Sequence, residues 1–204
     1  MSINIEHIFY INLKYRKDRR EHIEKILTER GLMDKTERYE ALYTPNSGIV
    51  GCSYSHLNVL KLAKERGYKN VLILEDDFEF VVNAETFETQ MQSFFSLNIE
   101  YNVCMLAYIV QNSTPVENTE LIKKVLDAQT ASGYLVNSNY FDELIYLYEW
   151  SCPLLEETNY HWLYANDMVW KQLQPKHNWY YFTEPIGRQM DGYSDNKQCY
   201  VKYE

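Results

Sequence analysis

The amino-acid sequence predicts a single α/β domain with a parallel sheet and helical crossovers. Three observations carry that expectation. Two short apolar runs, Ile3–Leu13 and Asn70–Leu74, read as buried strands. The order strand–helix–loop–helix–strand between them is what a parallel pairing needs, since parallel neighbours must be joined by a long crossover. At 204 residues the chain suits one domain, because two smaller ones would each be poor in core.

The elements follow in order. After the first strand, Asp18-Arg-Arg-Glu21 has the spacing of a capping box, with Ile23, Ile26 and Leu27 on one helical face and Gly31 as the stop. Arg38–Val50, which contains Pro45-Asn-Ser-Gly48, reads as mostly loop. Ser53 is placed to cap a second helix whose Leu57, Leu60 and Ala63 share a face, and Gly67 ends it. Beyond the strand at Asn70–Leu74, the pattern predicts a helix over Thr86–Leu97, a strand over Asn102–Val110 and a polar turn at Ser113–Asn118. It continues with a strand over Ala131–Val136, a helix over Asn139–Trp150, a loop over Ser151–Thr158, a helix over Tyr164–Leu173 and a strand over Trp179–Phe182. From Glu184 onward no period is evident.

Composition narrows the function. With 46% hydrophobic and 24% charged residues the chain is globular, not disordered. A net charge of −9 argues against a nucleic-acid partner, which needs clustered cations over a broad face. Lys14, Arg16, Lys17, Arg19 and Arg20 form a local basic patch that suits a small anionic ligand instead. No apolar run approaches the roughly 20 residues that span a bilayer, so no transmembrane segment is expected. The start of the chain does not read as a secretory signal. Cys52, Cys104, Cys152 and Cys199 are scattered, which predicts a reducing, intracellular setting. The 19 Tyr suit carbohydrate contacts, each pairing an apolar ring with a polar tip.

The strongest chemical signal is Glu75-Asp76-Asp77, which closes the all-apolar strand Asn70–Leu74. Such a strand is central, and its C-terminal end opens onto the crevice where open α/β sheets bind ligands. Three adjacent acids repel one another and are stabilised by a divalent cation, with hard oxygens suiting Mg²⁺ or Mn²⁺. A solvated strand end is the competing explanation. A signalling receiver domain would need an acid after the strand Asn102–Val110, where Gln111-Asn112 stands instead. Asn12 and Arg16 to Arg20 follow the first strand and bring uracil- and phosphate-binding groups to the same edge. Gly51-Cys-Ser-Tyr-Ser55-His56 reads as a helix start, whose free N–H groups favour an anion.

These segments together resemble glycosyltransferase family 25, the family of bacterial lipooligosaccharide galactosyltransferases and the collagen galactosyltransferase domain. The resemblance runs through Ile11-Asn-Leu13 with Arg19-Arg20, then Arg38-Tyr-Glu-Ala41, Gly51-Cys52 with Ser55-His56, and Leu74–Asp77. It continues with Ser132-Gly133-Tyr134, Asp167, Gln189 and Ser194-Asp195. It implies a GT-A-like, Rossmann-related fold with a mixed, mainly parallel sheet. Residues 1–110 would form the nucleotide-sugar half and 111–204 the acceptor side. The implied activity is inverting transfer of galactose or glucose from a UDP-sugar to a glycan or a hydroxylated protein side chain, as in lipopolysaccharide or other glycan biosynthesis.

By that carry-over Asp77 holds Mn²⁺ or Mg²⁺, and Asp76 holds the metal or the ribose. Asn12, Arg16, Arg19, Ser55, His56, Glu75, Gly133, Gln189 and Asp195 belong to the donor pocket. Asp167 is the expected base, with Asp191 and Asp195 in reserve and a helix cap as the competing role for Asp167. A silent nucleotide-sugar-binding protein and a Mg²⁺-dependent phosphohydrolase are the alternative functions.

Overall fold

The computed structural model describes residues 4–194 and 199–202. Strand β1 (His7–Asn12) is followed by helix α1 (Lys17–Thr28), β2 (Thr36–Glu40), α2 (Gly48–Glu65) and β3 (Asn70–Glu75). Next come β4 (Phe78–Phe80), α3 (Ala84–Ser96), β5 (Val103–Met105) and a long hairpin of β6 (Ile109–Val116) and β7 (Thr119–Gln129). The chain continues through β8 (Gly133–Asn137), α4 (Phe141–Thr158), α5 (His161–Tyr164), α6 (Asn166–Val169) and β9 (Trp179–Phe182). Short strands β10 (Gly187–Gln189), β11 (Gly192–Ser194) and β12 (Cys199–Val201) come last.

Eight strands form one mixed sheet in the order β2-β1-β3-β8-β5-β9-β7-β6. The pairs β2–β1, β1–β3 and β5–β9 are parallel, and the remaining neighbours are antiparallel. The α/β class with a helix-flanked mixed sheet is therefore as expected, and the pairs β10–β4 and β11–β12 form two small sheets beside it. Strand β3 is apolar from Val71 to Leu74 because both of its faces are covered there. Val71 and Ile73 join Phe9, Ile11, Leu57 and Leu144 under α2 and α4. Leu72 and Leu74 join Tyr10, Ile23, Phe87 and Phe94 under α1 and α3.

Several local expectations change. Thr36–Glu40 is a strand rather than loop, pairing in parallel with β1, with Arg38 beside Tyr10. Helix α1 starts one residue before Asp18 with no side-chain cap, because the Asp18 carboxylate is taken by Arg16. Helix α2 starts at Gly48 after the extended Ser47, so Ser53 lies inside it and its buried hydroxyl accepts from the Asn166 N–H. The N–H groups around Cys52 therefore close intrahelical bonds and offer no anion site. Ser113–Val116 belongs to β6, and the turn falls at the left-handed Asn118. Helix α4 runs through Pro153 to Thr158, so Ser151–Thr158 is not a loop, and Asn159 terminates it in the left-handed conformation. The predicted helix over Tyr164–Leu173 is broken by extended Ala165 into α5, α6 and a 3₁₀ turn. The tail contains β10, which pairs antiparallel with β4.

That last pairing fixes the end of β3. The Phe78 ring is fully buried between two glycines, where a Cβ on Gly133 would approach it to 2.5 Å and one on Gly187 to 2.2 Å. Both positions are glycine because the ring occupies the space a side chain would need. Gly133→Ala and Gly187→Ala should each lose about 1–3 kcal/mol by overpacking. At about 2–4 °C per kcal/mol for a chain of this size, thermal melts resolve that loss. Unchanged melting in both variants would show that the wedge does not hold the turn.

Candidate active site

Strands β1 and β3 run parallel with Ile11 beside Glu75, so their C-terminal ends reach one edge of the sheet together. Asn12 ends β1 and Glu75 ends β3, and Asp76 and Asp77 form the turn into β4. Arg19 comes from the first turn of α1. Its guanidinium bridges Asp76 Oδ1 and Asp77 Oδ2 at 3.0 Å each. Asn12 donates to Asp76 Oδ2 at 2.7 Å, and its side-chain oxygen Oδ1 accepts from Arg38 Nε at 2.9 Å. Gln189, carried by β10, donates to Asp77 Oδ2 at 3.2 Å, while the Met190 N–H bonds the Asp77 backbone carbonyl.

Glu75 faces the other way. Its Oε1 lies 3.1 Å from His56 Nε2 and 3.7 Å from Cys52 Sγ, both on α2. His56 Nδ1 is held at 2.8 Å by the hydroxyl of buried Tyr134 on β8. Asp167, in the first turn of α6, accepts from the Thr130 N–H at 3.2 Å. The cap of α6 is Ala165, so the competing role of Asp167 as a helix cap does not apply.

The electrostatics follow from burial. Asp77 is pushed up to about 7, chiefly by burial and then by the Glu75 charge, with Arg19 pulling the other way. Asp76 and Asp167 are also raised, each mainly by burial. Burial alone would lower Arg19, but Asp77 and Asp76 raise it, so it stays a cation. One guanidinium serves two carboxylates here, and Asp77 Oδ1 is buried with no hydrogen-bond partner among the described residues. An orphaned carboxylate oxygen in an over-negative pocket fits a hard divalent cation. Asp77 supplies the open oxygen, whereas both Asp76 oxygens already accept hydrogen bonds.

Other residues expected at the donor pocket take different positions. Ser55 is buried, donating to the Gly51 carbonyl at 2.6 Å and accepting from the Leu42 N–H. Gly133 packs against Phe78. Arg16 sits at the rim, paired with Asp18, and its carbonyl accepts from Asn12. Asp191 is exposed, and Asp195 lies outside the described residues. Sequence reasoning assigns no site role to Cys52 or Tyr134. Their signals are membership of the Gly51-Cys52 and Gly133-Tyr134 segments of the resemblance and position, Cys52 one helical turn before His56 and Tyr134 in a strand beside β3.

The raised carboxyl of Asp77 sets a pH dependence. A folded-state value above the ordinary 3.8 favours the protonated folded form. Its stabilising contribution is full below about pH 4 and is lost as pH rises through about 7. In EDTA, melting curves between pH 5 and 8 should show Asp77→Asn gaining several degrees on the wild type towards pH 8. Parallel curves would contradict the buried-carboxyl assignment.

No family model matches the chain. A curated relative, a glycosyltransferase 25 family member of Drosophila melanogaster, is 33% identical over a 104-residue alignment covering 39% of this chain. The chain matches only 17% of that relative's length. Among solved structures, a glycosyltransferase involved in glycosylation of the major capsid of PBCV-1 aligns with a TM-score of 0.56 at 11% identity. That alignment covers 94% of this chain and 95% of the other. A mannose-1-phosphate geranyltransferase from Thermus thermophilus aligns with a TM-score of 0.51 at 9% identity, covering 91% and 74%. Among the described residues no helix is long and apolar enough to cross a membrane. In sequence the chain resembles glycosyltransferase family 25, and its fold is GT-A-like.

Proposed function

We propose that the protein is an inverting, metal-dependent glycosyltransferase that moves a hexose, galactose or glucose, from a UDP-sugar to an acceptor hydroxyl. One observation carries the reading: two acidic positions with raised proton affinity, the buried Asp77 and the half-buried Asp167, both feel the charge of Glu75 at one sheet edge. An inverting transfer needs two such positions. One serves the leaving diphosphate, and the other takes the proton of the attacking hydroxyl.

Asp77, with Asp76 beside it, would hold Mn²⁺ or Mg²⁺. When bound, the ion supplies a Lewis acid for the diphosphate oxygens. Arg19 orients both carboxylates and adds a fixed positive charge at the same edge. Asn12, itself held by Arg38, keeps Asp76 in place, and Gln189 does the same for Asp77. Asp167 accepts the acceptor's proton at its carboxylate, and burial raises its affinity for that proton towards working pH.

The acceptor side is read from exposed aromatics. Tyr160 and Trp162 stack with ring centroids 5.0 Å apart, on the segment that leads directly into Asp167. Asn159, just before them, accepts from Ser47 at the start of α2, which ties this segment to the helix carrying Cys52 and His56. Flat, exposed rings with polar tips suit the faces of sugar rings. A glycan acceptor is therefore favoured over a protein side chain.

A thermal-shift screen of UDP-sugars with and without Mn²⁺ tests the donor assignment, since a true donor raises the melting temperature by mass action. A flat response to every donor would remove the reading. With a donor in hand, Asp167→Asn should lower kcat by about 10²–10⁴-fold while leaving donor affinity intact. Loss of donor binding in that variant would make Asp167 a structural residue. Trp162→Ala should raise the acceptor KM with the donor KM unchanged; equal effects on both would dismiss the aromatic platform.

A further inference from the structure

The transfer reaction leaves one cluster at the sheet edge without a task. Cys52 and His56 stand four residues apart on one face of α2, and both side chains point at Glu75 from the neighbouring strand end. Sγ of Cys52, Nε2 of His56 and a Glu75 oxygen all lie within 4.8 Å of one another. In tetrahedral zinc sites the metal–nitrogen and metal–sulfur bonds are about 2.0–2.1 and 2.3 Å, which places ligand atoms about 3.5 Å apart. Small side-chain rotations would bring the cluster to that spacing.

The support around the cluster has the form a metal site uses. His56 Nδ1 is held by the Tyr134 hydroxyl, which directs Nε2 towards the other two ligands. Tyr134 is itself fixed, stacked on His56 with centroids 5.7 Å apart and set edge-on against Trp170 at 5.4 Å. Burial first, and then the negative charge of Glu75, Asp167 and Asp77, hold the Cys52 thiol protonated, and a dication offsets that charge when the thiol is displaced to thiolate. Entry is open from the side of Glu75, whose side chain is 20% exposed. The donor set is thiol, imidazole and carboxylate. That set suits a borderline ion, whereas Asp76 and Asp77 offer only carboxylate oxygens.

We propose that Cys52, His56 and Glu75 form a binding site for a divalent ion of the Zn²⁺ class, and that occupying it shuts down the centre beside it. On binding, the Cys52 S–H bond breaks, its sulfur lone pair bonds the metal, and the proton leaves to solvent. Neutral His56 donates its Nε2 lone pair, and Glu75 binds as the carboxylate. Solvent completes the fourth position. The ion would repel a second dication on Asp77 and lower the basicity of Asp167. The shutdown rests on the transferase reading, whereas the binding does not.

Co²⁺ is the spectroscopic probe. The protein used is Cys199→Ser, because Cys199 is exposed while Cys104 and Cys152 are buried. One equivalent of Co²⁺ should give tetrahedral d–d bands and a thiolate-to-metal charge-transfer band, both bleached by Zn²⁺. The charge-transfer band should vanish in the further Cys52→Ser variant. X-ray absorption on the zinc-loaded protein, which needs no change at Cys52, should find one sulfur in a shell of four light scatterers. A shell of oxygen and nitrogen alone, or a band that survives in Cys52→Ser, overturns the site. In a Mn²⁺-supported transfer assay Zn²⁺ should inhibit, and Cys52→Ser should need at least tenfold more Zn²⁺ for the same fractional loss. Bound zinc without inhibition overturns the regulatory half and leaves the site. An inactive protein that still gives the band separates failure of the transferase reading from failure of this one.

Discussion

The Arg19 guanidinium between Asp76 and Asp77 is the interaction on which the sheet edge depends. Two carboxylates with 9% and 7% of their side chains exposed sit on consecutive residues. Without a cation between them one would have to stay protonated or the turn would open. Arg19 reaches them only because α1 begins directly after the β1 loop, so the crossover that makes the sheet parallel also delivers the counter-charge. A single guanidinium cannot balance three neighbouring acids. Burial first, and then the residual negative charge of Glu75, raise Asp77, and its Oδ1 has no partner among the described residues. The edge is thus held in a state that still favours a further positive charge.

Phe78 is the mechanical counterpart of that charge arrangement. It follows the acids directly and is clasped by Gly133 and Gly187. This couples β3 to β8 on one side and to β10 on the other. The coupling through β10 is what brings Gln189 to Asp77, from a segment with no recognisable period in the sequence. Packing energy in the core therefore sets the distances between polar atoms at the surface of the crevice.

The parts of the fold that are legible in the sequence are those whose burial is uniform. Strands β3 and β9 are covered on both faces, and apolar runs mark them plainly. Strand β2 is an edge strand of half-buried Thr, Glu, Arg and Tyr, which reads as loop because nothing in it alternates strongly. The start of α2 is masked because Ser53, a typical capping residue, serves as a buried acceptor for another segment. Ser151–Thr158 reads as loop around Pro153, yet α4 continues past the proline, since packing of Ser151, Cys152 and Leu155 outweighs one missing hydrogen bond. For the site, Asn12, Arg19 and the acidic triplet are readable because strand ends announce themselves. The Glu75–His56–Tyr134 chain is not, because it depends on which helix crosses which strand, and Gln189 is legible only through the family resemblance, not through any period in its segment.

The acidic triplet looks in sequence like one cluster, and the structure divides it. Glu75 is the last residue of a regular strand and lies towards α2, where His56 and Cys52 meet it. Asp76 and Asp77 have turned towards α1, where Arg19 meets them. Three like charges thereby serve two surroundings, one made of oxygen and guanidinium and one of imidazole and thiol. Glu75 nevertheless remains close enough to raise both Asp77 and Asp167. Any charge placed on Glu75 is therefore felt at both of the other acids, whichever reaction the edge performs. The residue that closes the strand is the point through which the two halves of the crevice communicate.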